Sequence, residues 1–548
     1  MAEQTSFQAL PATFETDPSR YVHLKLSVEG PVARIALDIQ EDHGLRPGYA
    51  LKLNSYDLGV DLELADAVQR LRFEHPEVAC VVITSAQEGA FSAGANIFML
   101  GSSTHAFKVN FCKFTNETRL YLEDATEHSG QTYVAALNGV ASGGGYELPL
   151  ACKEIYLIDD RKSAVSLPEV PYLGVLPGTG GITRVTDKRK VRRDRADVFI
   201  TLAEGIKGKR AVEWGLVDAV FPTSRFKAEV AARAGAIAGD GHPERRGVKL
   251  TPLEPAVDAS SITYRHVTVG LDTAARVATL TLTVPADAAD FPADPTVLGA
   301  DWFVVRAFRE LDDAILRLRF HYPEIGLVLL RTVGSPDTVL ALDAALLAHA
   351  GNWYVSEALG LMRRVFKRID VTSKSLFALI EPGSCFAGSL FELALAADRT
   401  YMRDTGAAIA LSDLNGGGRF LMGNGLTRLA TRFLGDPAHA EELAARRGLI
   451  DGAEAAELGL VTFAFDDIDW DDEVRLAIEE RASLSPDALT AMESNIRFAG
   501  PETMETKIFG RLSAWQNWIF QRPNAVGERG ALTLYGQPVQ AQFDYRRC

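Results

Sequence analysis

Two glutamates stand beside glycine-rich turns in the first third of the chain, and a pair of carboxylates so placed can divide acid and base work. Glu147 follows Gly143, Gly144 and Gly145 in NGVASGGGYELPLACKEIY (residues 138–156), and Glu169 lies in LPEVPYLGVLPGTGG from Leu167. The apolar run TYVAAL (132–137) reads as a buried strand, and Tyr146 onward reads as a helix carrying Glu147 in its first turn. Between them the three glycines let main chain approach a ligand closely. The unpaired amides and positive dipole end of a helix N-terminus suit a developing negative oxygen. Taken alone, three glycines serve close helix packing equally well.

A second element upstream changes that balance. FSAGANIFMLG (91–101) has small residues around Gly94 that expose main-chain amides. The Ala95 amide together with the amide of Gly144 would make a two-donor oxyanion hole for a thioester oxygen. Losing one such donor typically costs about 10²- to 10³-fold in rate.

The elements that must hold these turns alternate between strand and helix. VARIAL (32–37) and VACVVIT (78–84) read as strands, the second buried on both faces. Between them VDLELADAVQRLRF (60–73) places Leu64, Val68 and Leu71 on one helical face, with Pro76 beyond its end. After the glycine turn come IYLI (155–158), AVSL (164–167) and short helices over residues 205–221. Such βαβ alternation predicts an α/β fold with parallel pairing and right-handed crossovers. Residues 1–20 read as a loosely held polar arm, and residues 239–261, polar and without periodicity, as a linker.

Beyond the linker the chain repeats itself. QRLRFEHPEVACVVI (69–83) is echoed by LRLRFHYPEIGLVLL (316–330), and ELPLACKEIYL (147–157) by ELALAADRTYM (392–402), an offset of about 245 residues. A period of that size means two copies of one domain. The copies differ where chemistry would sit: Gly143, Gly144 and Gly145 become Gly388, Ser389 and Leu390, and FSAGAN has no better counterpart than VLALDA from Val339. The second copy therefore reads as scaffold or interface. The expected organisation is a first domain over 1–258 carrying the site, a degenerate second domain over 259–475, and a helical packing or oligomerisation region over 476–548.

Composition bounds the alternatives. The 548 residues carry a formal charge of −15, which argues against nucleic acid as a partner. The basic run DKRKVRRDRAD (187–197) reads as a solvated helix face. No apolar run approaches the ~20 residues of a membrane span and no signal sequence is visible, so a cytoplasmic protein without membrane partners is expected. Five cysteines without CxxC or His-rich spacing argue for reduced thiols and no metal site. Trp515, Trp518 and Phe520, at helical spacing, read as core or subunit-interface residues.

The set SAGAN, NGVASGGGYE, LPE and LPGTGG, in this order and spacing, resembles the crotonase (enoyl-CoA hydratase/isomerase) superfamily, strongly over residues ~25–240 and more weakly over ~265–470. The resemblance implies the ββα spiral fold shared by ClpP and crotonases, here duplicated, with a C-terminal helical region. It places the oxyanion hole on Ala95 and Gly144 and the two catalytic carboxylates on Glu147 and Glu169. It further implies substrate or CoA contacts at Lys52, Ala93, Gly94, Asn96 and Gly143, and draws attention to Cys112 as a catalytic pocket residue. Asn96 departs from the aspartate common at its position. A duplicated chain with an intact first copy is similar to the ring-opening lyases of aerobic benzoate breakdown. That likeness implies conversion of 2,3-epoxy-2,3-dihydrobenzoyl-CoA and two waters to 3,4-didehydroadipyl-CoA semialdehyde and formate. No cofactor is implied, CoA being part of the substrate, and a homodimer or other homo-oligomer is expected. The alternatives are a hydratase or isomerase of another acyl-CoA, and a non-catalytic binding protein of the same fold.

Overall fold

The computed structural model describes residues 13–548, in two compact units, Met1–Leu250 and Thr251–Cys548. In the first unit, β1 (Leu24–Glu29) and β2 (Val32–Leu37) form an antiparallel hairpin. The chain continues with β3 (Cys80–Ser85), β4 (Gly89–Ser92), β5 (Thr132–Leu137), β6 (Gly139–Ser142), β7 (Glu154–Asp159), β8 (Val165–Ser166) and β9 (Ala219–Pro222). Six of them make the main sheet, in the order β1-β2-β3-β5-β7-β9, all parallel after the hairpin. The apolar run that predicts a doubly covered strand is β3, every residue of which is buried. AVSL does not join this sheet. Only Val165 and Ser166 are strand, and they pair beside β6 in a small parallel sheet, β4-β6-β8.

The arm expected over residues 1–20 lies outside the described residues as far as residue 12. From there the chain is held: Phe14 is buried, and the Thr16 carbonyl accepts from the Arg70 guanidinium at 2.8 Å. The helix expected from Tyr146 begins at Gly144 and runs to Ala151.

The second unit repeats the plan. Its strands are β10 (Ala256–Val257), β11 (Ser261–Thr263), β12 (Val267–Asp272), β13 (Val277–Thr283), β14 (Leu327–Val333), β15 (Ser375–Ile380), β16 (Arg399–Arg403) and β17 (Phe463–Phe465), in that order in one sheet. From β12 onward the pairing matches β1-β2-β3-β5-β7-β9, one antiparallel hairpin followed by parallel strands. Residues 256–257, inside the expected linker, pair with β11 as an added hairpin, so the division falls at 250/251, upstream of 258/259. Each sheet is covered on one face by the helix that follows its last strand. Phe226, Val230 and Ala234 of helix Phe226–Ala238 pack on Val82, Val134 and Tyr156. Trp470 and Val474 of helix Trp470–Ser483 pack on Leu329, Phe377 and Tyr401. The latter helix crosses residues 475 and 476, where a boundary was expected.

Even the buried polar contacts are duplicated. The Glu63 carboxylate accepts the amides of Val22, His23 and Leu24 at 2.7–2.9 Å, and Glu310 accepts those of Arg265, His266 and Val267 at 2.7–3.3 Å. A tyrosine and an arginine converge on one aspartate oxygen in both units, Tyr21 and Arg70 on Asp66, Tyr264 and Arg317 on Asp313. A buried amide left without an acceptor costs about 1–3 kcal/mol. Glu310→Ala strands three of them, so it should lower unfolding free energy by a few kcal/mol, read in calorimetry as a fall in Tm; an unchanged Tm would contradict this role.

Candidate active site

The first turn is held by a strand-like contact with Tyr56. Its amide donates to the Gly94 carbonyl at 2.9 Å, and its carbonyl accepts the Asn96 amide at 2.8 Å, so Ala95 is bracketed on both sides. Gly94 has φ +87°, a conformation that side chains disfavour, and a Cβ there would lie 2.7 Å from the Gly144 nitrogen. A Cβ on Gly145 would strike the Ser92 carbonyl, and one on Gly144 the Tyr56 hydroxyl. The two glycine turns therefore touch main chain to main chain. Neither the Ala95 nor the Gly144 amide donates to an acceptor among the described residues. Gly144 is the first residue of its helix, where amides have no intrahelical partner.

Both glutamates converge here. Glu147, 2% exposed, is gripped by the PGTGG loop: Oε1 accepts the Thr179 amide at 3.0 Å and the Gly181 amide at 2.7 Å, and Oε2 accepts the Thr179 hydroxyl. The glycines make room, since a Cβ on Gly181 would lie 2.8 Å from Glu147 Oε1 and one on Gly143 2.7 Å from Glu169 Oε1. Burial raises the Glu147 pKa, against the hydrogen bonds of Thr179 and Gly181 and the charge of Arg119, which lower it. Glu169 opens the helix Glu169–Leu173 and its buried Oε2 has no hydrogen-bond partner. Burial first, and the neighbouring Glu147 charge second, push its pKa up to about 7.

Cys112, on helix His105–His128, faces the same charges. Burial, then Glu147 and Asp61, push its pKa up to about 11, so at neutral pH it is a thiol and no thiolate nucleophile. Ala93 is exposed next to the turn, its amide donating to Leu53 at 3.0 Å. Lys52 is exposed at the start of the short turn Lys52–Asn54. The Asn96 side chain is engaged within the chain: Oδ1 accepts the Met99 amide, and Nδ2 donates to Ala50 and Ser55. It caps the helix Ile97–Ser102 and ties down the preceding loop. In the basic run, Lys188 pairs with Glu123, Arg189 with Asp218 and Arg192 with Asp194, consistent with a solvated face. Among the described residues no cluster of three or more His, Cys, Asp or Glu side chains is placed to hold a metal ion, and no helix is long and apolar enough to cross a membrane.

Three groups escaped the sequence. Thr179 sits in a quoted motif, but its contact with Glu147 spans 32 residues. Tyr56 carries no local signal at all. Arg119 and Asp61, both buried, pair at 2.7 Å beside them, and the Thr115 hydroxyl donates to the second Asp61 oxygen.

The second unit shows the same site closed from within. Asp343, which stands in VLALDA where Ala95 stands in FSAGAN, places Oδ2 2.7 Å from the amide of Ser389, the counterpart of Gly144. Ser412 Oγ donates to the same oxygen at 2.7 Å. A protein carboxylate thus occupies the amide that a ligand oxygen would need. Glu392, matching Glu147, is neutralised by Arg428 at 3.0 Å, and Glu169, the first residue of its helix, is matched by Asp413, the first residue of helix Asp413–Gly416, which is exposed and pairs with Arg447.

The raised Glu169 pKa has a stability consequence. Its folded value lies above the unfolded one, so the penalty is absent below the unfolded pKa near 4.5 and grows as pH rises through about 7. Glu169→Gln removes the ionisable group. It should raise Tm by several degrees at pH 8.5, with a smaller gain at pH 5.5; a gain independent of pH in calorimetry would exclude this origin.

Residues 50–267 match the enoyl-CoA hydratase/isomerase family. Over 541 residues the chain is 56% identical to a benzoyl-CoA-dihydrodiol lyase of Aromatoleum evansii, with 97% of each chain covered. Among solved structures, an enoyl-CoA hydratase of Geobacillus kaustophilus is 35% identical over 40% of this chain and 75% of its own, with a TM-score of 0.35. One of Bacillus anthracis is 28% identical over 40% and 77%, with a TM-score of 0.34. The near-complete coverage of the Aromatoleum relative decides the assignment: the chain belongs to the crotonase (enoyl-CoA hydratase/isomerase) superfamily.

Proposed function

We propose that this chain opens the ring of 2,3-epoxy-2,3-dihydrobenzoyl-CoA, adding two waters to give 3,4-didehydroadipyl-CoA semialdehyde and formate. The observation that carries the reading is the pair Glu147 and Glu169 beside two unengaged amides, in a chain related over its whole length to a benzoyl-CoA-dihydrodiol lyase. The thioester oxygen binds at the Ala95 and Gly144 amides, which stabilise negative charge as it moves onto the acyl group. Glu169, with an unpartnered oxygen and a pKa near neutrality, is the proton donor to the epoxide oxygen. Glu147, oriented by Thr179 and Gly181, is the group that takes a proton from the attacking water. Cys112 lines the pocket as a neutral thiol, while Ala93, Gly94 and Gly143 shape its main-chain wall and Lys52 meets the CoA nucleotide. Water addition with carbon–carbon cleavage balances without an oxidant or reductant, so no cofactor is called for. The protein works in the cytoplasm as a homodimer or other homo-oligomer. Met504, Phe509, Leu512 and Phe520, exposed along residues 504–520, supply an apolar face for a second copy.

Incubation with synthetic 2,3-epoxy-2,3-dihydrobenzoyl-CoA should release formate and the semialdehyde. Turnover of crotonyl-CoA with no formate from the epoxide would instead establish an ordinary hydratase. Because Glu169 acts in its protonated form, kcat should fall as pH rises through about 7. Glu169→Gln should lower kcat by about 10²- to 10⁴-fold and abolish that limb of the profile; a full-activity variant would remove Glu169 from the mechanism.

A further inference from the structure

Tyr56 stands out as a buried polar group that the two-carboxylate scheme leaves unused. It is 5% exposed, and its hydroxyl has no hydrogen-bond partner among the described residues. The hydroxyl lies directly against Gly144, where an added Cβ would collide with it. The nearby acceptors are already engaged. Asp61 takes the Arg119 guanidinium and the Thr115 hydroxyl, and Glu147 takes Thr179 and Gly181. The ring is held in place, with the Arg119 guanidinium 5.3 Å from its centroid and the Phe111 ring at 6.1 Å. A buried donor without an acceptor is costly unless a ligand supplies one.

We propose that the Tyr56 hydroxyl is a third catalytic donor to the thioester oxygen, completing with the Ala95 and Gly144 amides a three-donor oxyanion hole. The inference rests on the acyl-CoA reading above. The same residue assembles the other two donors, since its backbone brackets Ala95 and its ring abuts Gly144. Burial drives the phenol pKa upward, which keeps the proton available for donation at any working pH.

The test uses the full chain with two probes: benzoyl-CoA, which has the thioester carbonyl, and S-benzyl-CoA, which lacks it. In the unsubstituted protein, infrared difference spectra should show the carbonyl stretch of bound benzoyl-CoA moved to lower wavenumber. Tyr56→Phe keeps the ring and the backbone contacts. It should reduce that displacement and weaken benzoyl-CoA binding on the order of tenfold, while S-benzyl-CoA binds both proteins equally. Equal benzoyl-CoA affinity with an unaltered stretch would overturn the proposal. Loss of S-benzyl-CoA binding in the variant would also overturn it, by showing that Tyr56 acts through packing alone. An undisplaced carbonyl in the unsubstituted protein would instead bring down the thioester reading on which it rests.

Discussion

Two stretches of main chain can line one pocket only if no side chain stands between them. Gly94 and Gly144 meet that condition, and every other feature of the site follows from it. A single methyl group on Gly94 would press on the Gly144 nitrogen, and one on Gly144 would displace Tyr56. Because the turns touch, the Gly144 amide lies against Gly94, the residue before Ala95, at a helix N-terminus whose dipole favours negative charge. The same economy of side chains at Gly143 and Gly181 lets Glu169 and Glu147 lie close over the backbone.

The two carboxylates differ because their surroundings differ. Glu147 is surrounded by donors, two amides and a hydroxyl, which offset part of the rise that burial imposes on its pKa. Glu169 has burial and a neighbouring negative charge to contend with, and one oxygen left without a donor. Environment rather than residue type therefore separates acid from base.

The second unit is an internal comparison for this account. It keeps the sheet order, the tyrosine–aspartate–arginine contacts and a buried glutamate at the equivalent helix position. What it loses is vacancy. The Asp343 carboxylate sits on the Ser389 amide, Arg428 compensates Glu392 and Asp370, and the acid at the position of Glu169, Asp413, is exposed and paired with Arg447. In this closed, charge-compensated interior the amide matching Gly144 already has its acceptor.

The sequence by itself determined the α/β alternation, the duplication, both glycine turns and the two glutamates. These are local or periodic signals: TYVAAL is β5, VACVVIT covers β3 as far as Thr84, and ELPLACKEIYL and ELALAADRTYM carry the same element in both units. Periodicity marks a face without showing what covers it. For Trp515, Trp518 and Phe520, expected as core or subunit interface, helix Ser513–Ile519 has no buried residue and Phe520 is exposed, so they are not core of this chain. Only the tertiary structure decided that Asn96 caps a helix, that Thr179 grips Glu147, that Asp343 closes the second site and that Tyr56 abuts Gly144. Apart from the Asn96 cap, which is local, each of these depends on one short-range contact between segments far apart in the chain, 46 residues in the case of Asp343 and Ser389. Hydrogen bonds and steric contacts act over a few ångströms, and sequence spacing carries no measure of that distance until the strands have paired and the turns have met.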